Sequence, residues 1–387
     1  MRLPPPLQQL SQALYLTPMN RVQRLTLTFL VVLSSLTCFS QFRKYSNEFL
    51  NIGAGARGLA MGGAQVASVQ DHTAGYWNPA GLAFAERFPS IGFMHAEYFA
   101  GIGKYDFLSA ALPTKNGSKT LGITFMRFAV DDIPNTLFLV EPDGSLNYNN
   151  IKTFSSADYA LLLSYAQKWK ENENSSLSFG GNAKIIYRKV GSFANAWGFG
   201  IDAALMYRKR NWRIGLAARD ITTTFNAWSF SFSDAEKERL YLTNNDIPEK
   251  STEMTAPRLV AGGGYNFQLG KKFSLLTELN LDLTFDGQRN TIISSKVLNI
   301  DPRIGIELGY NNVLFVRAGI SNFQRGLADG DTTNQKKVWI YQPSAGAGFR
   351  VGNVVLDYAF TNLANQSNPL FTHVFSIRVD FEPKKKR

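Results

Sequence analysis

Few residues of this sequence have the types and spacing that catalysis or metal binding requires. The three histidines, His72, His95 and His373, lie far apart, without carboxylate or thiol neighbours at ligand spacing. The Gly-x-Ser-x-Gly motif of serine hydrolases does not occur in the sequence. We therefore predict that the protein is not an enzyme and that it has no catalytic residue, metal site or cofactor.

One glycine-rich stretch matches a nucleotide-binding pattern by its spacing. Residues 53–58 read Gly-Ala-Gly-Ala-Arg-Gly, as in the dinucleotide fingerprint. That fingerprint also needs a buried strand before it, a helix after it and an acid about twenty residues further on. Gly62 and Gly63 interrupt any such helix, and no βαβ pattern follows. We interpret the stretch as a mobile or tightly packed segment instead.

The rest of the chain is dominated by period-two alternation. Between Phe273 and Phe285 every odd position except Thr277 is apolar, while the even positions include Ser274 and Glu278. Such alternation is typical of a strand with one apolar and one polar face. Several alternating segments are long enough for a tilted strand that spans a membrane, which needs about nine to eleven residues. Aromatic residues make up 13% of the chain, which also favours strands.

Fourteen strands are predicted from this alternation, near residues 90–98, 104–112, 119–130, 154–168, 175–189, 195–208, 211–220, 257–269, 272–285, 302–311, 313–321, 337–350, 352–360 and 371–381. Short turns alternate with long loops, which we place at 131–153, 221–256, 286–301, 322–336 and 361–370. This is the connectivity of bacterial outer-membrane barrels. We predict an all-β fold, a 14-stranded antiparallel transmembrane β-barrel in the outer membrane, with extracellular long loops and periplasmic termini.

The alternation also predicts which face points where. In a membrane barrel the apolar face meets lipid, so the polar face lines the interior. The charges expected inside are Arg188, Asp202, Arg208, Arg219, Glu278, Asp282, Glu307, Arg317, Arg350, Asp357 and Arg378. Their mixed signs favour ion pairs over an ion-selective pore. The alternative is a soluble β-sandwich or lipocalin-like barrel, which would bury the apolar faces.

Four regions are expected along the chain. Residues 1–40 resemble a signal peptide cleaved after Ser40, with translation starting at Met1 or Met19. The single cysteine, Cys38, lies in this region, so we expect no disulfide; a lipoprotein anchor is the alternative use of Cys38. Residues 41–89 form an N-terminal hatch, 90–381 the barrel and 382–387 a basic periplasmic tail. Much of the net charge of +11 comes from the four terminal residues Lys384 to Arg387, so no nucleic-acid partner is indicated.

Residues 41–89 have no strand period but are rich in apolar side chains and glycine. A fourteen-stranded lumen is wide enough to need filling. We therefore predict that this segment folds into the lumen. Its structural motif comprises Gly58, Gly62, Gly63, Trp77, Asn78 and Pro79, and the last two are expected to form a tight turn.

Residues 49–83 resemble the N-terminal signature of the PorV/PorQ family of Bacteroidetes outer-membrane proteins, which is related to the FadL-type fatty acid transporters. The resemblance rests on the run Ala60-Met61-Gly62-Gly63 followed by Trp77-Asn78-Pro79-Ala80. It implies a FadL-like barrel that belongs to the type IX protein secretion system. Such a component recognises cargo by its C-terminal signal domain, and its partners are the translocon channel and that cargo.

The long loop at 221–256 is the candidate partner-binding region. It contains four aromatic residues, Phe225, Trp228, Phe230 and Phe232, followed by a short helix with Ser233 as N-cap and Glu236 at the third helical position. Exposed aromatic side chains are good anchors for another protein. The alternative is that these residues extend the barrel wall or fold over its mouth.

Two other functions remain open. A FadL-like transporter of hydrophobic small molecules would have the same fold, and it predicts an apolar pocket at the extracellular mouth. A purely structural barrel would only stabilise a larger assembly. The sequence therefore predicts the architecture and leaves the cargo to be identified.

Overall fold

The computed structural model describes residues 46–85, 88–114, 117–141, 143–248, 250–328, 336–362 and 371–381. The predicted signal peptide with Met19 and Cys38, the first residues of the hatch at 41–45 and the basic tail at 382–387 lie outside these described residues.

The described chain is built mainly from antiparallel strands. They are β1 (Ser90–Tyr98), β2 (Gly103–Pro113), β3 (Lys119–Asn135), β4 (Lys152–Asn172), β5 (Ser175–Val190), β6 (Ala194–Lys209), β7 (Trp212–Arg219), β8 (Thr224–Phe230), β9 (Lys250–Thr255), β10 (Arg258–Leu269), β11 (Phe273–Thr284), β12 (Ile293–Ser294), β13 (Asn299–Tyr310), β14 (Leu314–Leu327), β15 (Lys337–Val351), β16 (Val354–Thr361) and β17 (Thr372–Asp380). Three α-helices accompany them, α1 (Ala56–Ala60), α2 (Ala74–Trp77) and α3 (Asp234–Leu242). Short 3-10 helices cover Glu48–Asn51, Pro79–Phe84 and Tyr148–Asn150.

The strands form one closed sheet. Strand β1 pairs with β2 on one side and with β17 on the other, so the first and last strands meet. Strands β7 and β8 both pair with β6 and act as one interrupted wall strand, and β9 with β10 make the next one. The two-residue strand β12 only pairs with the start of β13. The architecture is therefore a closed 14-stranded antiparallel barrel, as the sequence predicts.

The outer surface of the barrel is apolar, whereas the inner surface combines polar and charged residues with buried apolar side chains such as Phe107. In β1 the exposed residues Ile91 and Phe93 alternate with the buried residues Gly92 and Met94. The same alternation exposes Phe199 on β6 and buries the charged side chain of Asp202. The alternative of a soluble β-sandwich or lipocalin-like barrel predicts buried apolar faces. It is wrong on this point, because the apolar faces of the strands point away from the barrel interior.

The wall rises further on one side than the sequence predicts. Residues 224–230 and 250–255 belong to β8 and β9, so the predicted loop at 221–256 is shorter and lies beyond the end of these strands. Strand β3 likewise continues to Asn135 and β14 to Leu327, inside two other predicted loops. The predicted loop begins too early because Asp220 and Thr223 adopt left-handed backbone angles that interrupt the alternation between β7 and β8. The predicted helix is confirmed as α3, with a capping box between Ser233 and Glu236.

None of the helices in the described ranges is long and apolar enough to cross a membrane.

Substituting arginine for an outward-facing residue in the middle of a strand tests whether the apolar face meets lipid. Phe125 is exposed on β3, six residues from the end at Lys119, and it pairs with Leu108 and Leu161. In a bilayer, Phe125→Arg is expected to destabilise the barrel by roughly 2–4 kcal/mol, because the charge lies near the midplane. The measurement is reversible denaturant unfolding in phospholipid vesicles.

Leu112 supplies the matched control, since it also faces outward but lies one residue from the end of β2. Leu112→Arg should cost only about 0–1 kcal/mol, because its charge reaches the interface. Equal costs for the two substitutions would contradict the transmembrane orientation.

Candidate functional site

Residues 46–85, called here the interior segment, fill the barrel. The segment bonds to strands around most of the circumference: the Ala56 amide donates to Ser376 on β17 and the Ala67 amide to Glu278 on β11, at 3.2 and 2.7 Å. On the opposite side, Asn182 of β5 donates to the Gly75 carbonyl at 2.8 Å. The segment is therefore bonded to the inner surface of the wall and divides the lumen.

Glycines of the wall let the interior segment approach the strands closely. A Cβ added at Gly319 would lie 2.1 Å from the backbone of Met61, and one at Gly180 would lie 2.6 Å from that of Ala80. Other inward glycines that touch the segment are Gly92, Gly122, Gly215, Gly262, Gly305 and Gly346. A side chain at any of these positions would push the segment away from the wall.

The predicted hatch motif lies at the centre of this packing. The Trp77 indole donates to the Ala54 carbonyl at 2.8 Å and covers Gly58, where a Cβ would clash with the ring. Asn78 caps the 3-10 helix that begins at Pro79: its side-chain oxygen accepts from the Ala80 amide at 3.0 Å. All three motif side chains are buried.

Two motif glycines make a tight turn against the wall. Gly62 and Gly63 have φ of 64° and 80°, in the region that favours glycine. Gly62 lies directly on the backbone of Ile320, and Gly63 lies beside the Arg303 side chain. Both positions therefore need glycine for conformation and for space.

An ionic network fixes the segment to the wall. Arg57 makes a bidentate pair with Glu307 on β13, at 2.7 and 2.9 Å. Glu307 also accepts from Arg317 on β14 at 2.6 Å, and Arg317 reaches Asp357 on β16 at 2.7 Å. The sequence predicts the inward charges on the strands; their connection to the interior segment through Arg57 is visible only in the structure.

A second attachment involves Asp71 and His72. Asp71 lies 3.3 Å from Arg378 on β17, and His72 Nδ1 lies 2.6 Å from the Ser109 hydroxyl on β2. Burial lowers the pKa of the His72 imidazole to about 4, so His72 is neutral at pH 7. Burial alone would raise the pKa of Asp71, but His72, Arg378 and Arg57 together hold it below its usual range.

The interior segment separates two cavities. The first, about 500 Å³, lies at the end of the barrel where the long loops join the strands, called here the loop end. It is lined by Leu59, Trp77, Tyr98, Phe99 and Pro343, together with polar residues such as Arg303 and Gln342. The second, about 330 Å³, lies at the opposite end, the turn end, and is lined mainly by charged residues of the Arg57 and Asp71 attachments. The helix α1 and residues 61–63 stand between them.

Three of the four predicted partner-binding aromatics lie on the inner side of the mouth. Asn226 faces inward, since it bonds to Asn47 of the interior segment, so Trp228 and Phe230 share its face by alternation. Phe225 faces outward against Phe199.

Trp228, Phe230 and Phe232 form a continuous row with Phe193, called here the aromatic stripe. Phe193 stacks on Phe232, Phe232 on Phe230, and Phe230 on Trp228, with ring centroids 5.9, 6.4 and 6.3 Å apart. At its inner end the Arg188 guanidinium lies 5.1 Å from the Trp228 ring. The sequence separates Phe193 from the other three by more than thirty residues, so its membership could not be read from the chain.

In the described part of the chain, no group of three or more His, Cys, Asp or Glu side chains could hold a metal ion. Many charged side chains of the interior are engaged in structural pairs, such as Lys184 with Asp202 at 2.7 Å and Arg258 with Asp282 at 3.2 Å. What the site offers to a ligand is an aromatic surface at the mouth and a mixed cavity behind it.

Three solved structures of similar fold are channels or transporters. The CymD monoaromatic hydrocarbon channel is 14% identical, with a TM-score of 0.53, over 86% of this chain and 99% of its own. The toluene transporter TbuX of Ralstonia pickettii is 13% identical, with a TM-score of 0.51, over 85% and 99% of the two chains. The toluene transporter TodX of Pseudomonas putida is 15% identical, with a TM-score of 0.51, over 85% and 98%.

At this identity the likeness concerns the fold. It confirms the closed 14-stranded barrel architecture that the sequence predicts. No protein-family model and no curated protein matches the chain. The structural neighbours are transport proteins rather than enzymes. None of these findings supports membership of the type IX secretion system, which stays a prediction from residues 49–83.

Removing the carboxylate shared by Arg57 and Arg317 tests the attachment of the segment. Glu307→Gln is expected to destabilise the protein by about 3 kcal/mol or more, because it leaves buried guanidinium groups without their full counter-charge. The substitution should also expose the interior segment to proteases. Denaturant unfolding and limited proteolysis of the detergent-solubilised protein measure both effects.

Glu171→Gln is the control, because Glu171 pairs with Lys168 at 2.8 Å on the exposed surface. This pair should contribute less than about 1 kcal/mol. If Glu307→Gln changed the free energy of unfolding no more than Glu171→Gln, the ionic attachment would not stabilise the protein, contrary to this prediction.

Proposed function

We propose that the protein is an outer-membrane channel that admits hydrophobic small molecules through the loop end. In this orientation the long loops are extracellular and the short turns and both termini are periplasmic. The observation that carries the proposal is the aromatic stripe of Phe193, Trp228, Phe230 and Phe232. Trp228 and Phe230 face the mouth, where membrane lipid does not reach, so the stripe offers its contact surface to molecules that enter the barrel.

The cavity at the loop end supports the proposal by its size and lining. Its volume of about 500 Å³ lies in the range of small-molecule sites, about 300–1,000 Å³. Leu59, Trp77 and Phe99 supply apolar contact, while Arg303 and Gln342 supply polar groups. This cavity is therefore mixed, unlike the apolar pocket that the sequence predicts for such a transporter.

A ligand in this cavity meets the interior segment. Helix α1 and the turn at Gly62 and Gly63 close the floor of the cavity against β14 and β15. Onward passage then requires the segment to shift or the ligand to leave beside it. The barrel differs in this respect from a water-filled porin, and selective admission rather than bulk flow is the activity that this arrangement favours.

Uptake of toluene tests the proposal, since the neighbouring structures are named for toluene and monoaromatic hydrocarbons. The triple substitution Trp228→Ala, Phe230→Ala and Phe232→Ala should lower the initial rate of labelled toluene uptake by expressing cells by on the order of tenfold, because three aromatic contacts are lost. Surface abundance of each variant is measured in parallel.

Phe225→Ala is the matched control, because Phe225 lies on the same strand but faces outward. Its uptake rate should stay near that of the original protein. Equal loss in the control, or no loss in the triple variant, would contradict a role of the stripe in uptake.

A type IX secretion component that binds or shuttles cargo with a C-terminal signal domain is the second candidate function. Besides the resemblance of residues 49–83, one structural observation favours a protein partner at the mouth. Helix α3 carries the exposed apolar side chains of Tyr241 and Leu242 beyond the end of β8. Aromatic and aliphatic residues in such a position are good protein anchors.

Mass spectrometry of proteins that co-purify in mild detergent tests this second candidate. Recovery of a translocon channel or of cargo with a C-terminal signal domain, lost after Tyr241→Ala and Leu242→Ala, would support it. The triple substitution in the stripe serves as the comparison, since it alters the inner face and leaves α3 unchanged. Recovery of neither class of partner with the original protein would remove the candidate.

A further inference from the structure

We propose that the outer wall carries a binding site for one anionic phospholipid at the turn end, across strands β7, β10, β11 and β13. The site combines an apolar groove in the wall with basic turns at its rim. It rests on the membrane placement in the proposed function but is independent of the molecule transported.

The groove exists because one outward position has no side chain. Gly263 faces outward on β10, between Ile214 of β7 and Leu279 of β11, and a Cβ there would meet no atom within 4 Å. Around it Trp212, Tyr265, Phe267 and Ile304 form the walls of a depression of about 620 Å³. The surface is apolar except for Thr277 and the edge of Glu278, so a hydrocarbon chain fits it.

The length of the groove suits an acyl chain. Gly263 lies six residues from Leu269, where β10 ends. At about 3.4 Å per residue and a tilt near 45°, that distance is roughly 14 Å along the membrane normal. One leaflet of the hydrocarbon core is about 15 Å thick, half of the usual core. A chain that starts at the rim therefore ends at the depression.

The rim above the groove is basic. Arg210 lies in the turn between β6 and β7, and Lys271 and Lys272 lie in the turn between β10 and β11. All three side chains are exposed, and no salt bridge to a carboxylate is found for them within the described ranges. Clustered lysine and arginine residues at a membrane surface attract anionic headgroups by about 1 kcal/mol each.

Aromatic rings line the part of the groove between Gly263 and the rim. Trp212 packs against Tyr265 with ring centroids 4.8 Å apart, and Tyr265 packs against Phe267 at 4.5 Å. Exposed tryptophan and tyrosine concentrate at the membrane interface. Arg210 lies just beyond Trp212, and Lys271 and Lys272 lie further toward the rim, where a phosphate would be. Gly263 lies on the other side of the rings.

A second outer groove separates the effect of charge from that of shape. It has a similar volume, about 600 Å³, and includes Phe93, Val316, Ala347, Leu356 and Phe375. The turns beside it, at residues 311–313 and 352–353, consist of Asn, Val and Gly and carry no charge. This groove can hold a chain, but neither of these two turns offers a basic residue to a headgroup, so we expect stronger selectivity for anionic lipid at the Gly263 groove.

Native mass spectrometry of the full-length protein, delipidated in detergent and titrated with phosphatidylglycerol or phosphatidylethanolamine, tests the proposal. We expect one tightly retained phosphatidylglycerol and weaker retention of phosphatidylethanolamine. Replacing Arg210, Lys271 and Lys272 by Gln should lower phosphatidylglycerol affinity roughly fivefold for each charge removed. Gly263→Leu should abolish selective retention by filling the groove, and it fits without strain because the position is open.

Ala347→Leu is the matched control, since it adds the same side chain in the groove beside the uncharged turns. It should leave phosphatidylglycerol retention unchanged. Equal retention of both lipids by the original protein, or equal loss in Ala347→Leu and Gly263→Leu, would overturn the site. Displacement of the lipid by millimolar glycerol 3-phosphate would show that the turns bind the phosphate alone, which also overturns it. Toluene uptake by Gly263→Leu is expected to be normal, so failure of this inference is distinguishable from failure of the proposed function.

Discussion

The pairing of β1 with β17 is the constraint on which the rest of the structure depends. It closes the sheet, so that the continuous wall has no free edge. In a closed sheet with period-two side chains, each residue faces either inward or outward. The apolar half of the alternation then forms the outer surface, and the charged half is enclosed.

Enclosing so many charges has an energetic cost that must be offset inside the barrel. Buried ions need partners and hydrogen bonds, since an unpaired buried charge costs several kcal/mol. The interior supplies these through pairs such as Arg57 with Glu307 and Arg258 with Asp282. The interior segment contributes Arg57 and Asp71 to these pairs and bonds its backbone to inward side chains. It is therefore part of the polar core of the barrel as well as its partition.

The partition makes the two ends of the barrel different. The loop end has the aromatic stripe and a mixed cavity, while the turn end has a charged cavity and basic turns. Hydrophobic molecules are expected to meet the protein first at the stripe, and anionic lipid is expected to bind on the outer wall at the opposite end. Both proposals follow from aromatic or glycine residues whose direction, inward or outward, is set by their register in the closed sheet.

The sequence by itself determined the features that depend only on residues close together in the chain. Alternation gave the number of wall strands and the inward face of charges such as Glu307 and Arg317, and the spacing of Ser233 and Glu236 gave the capped helix α3. The extension of the wall through β8 was only an alternative to a partner-binding loop, because the left-handed residues Asp220 and Thr223 interrupt the period there.

Only the tertiary structure decided which residues meet across the barrel. Arg57 and Glu307 are 250 positions apart, and the alternation of each strand says nothing about the partner that lies opposite. Gly263 becomes the floor of a groove only because of Trp212 and Ile304, which lie on other strands. The period of a strand is a local property of the chain, whereas pairing partners and the shapes of cavities depend on the closed register of the whole sheet.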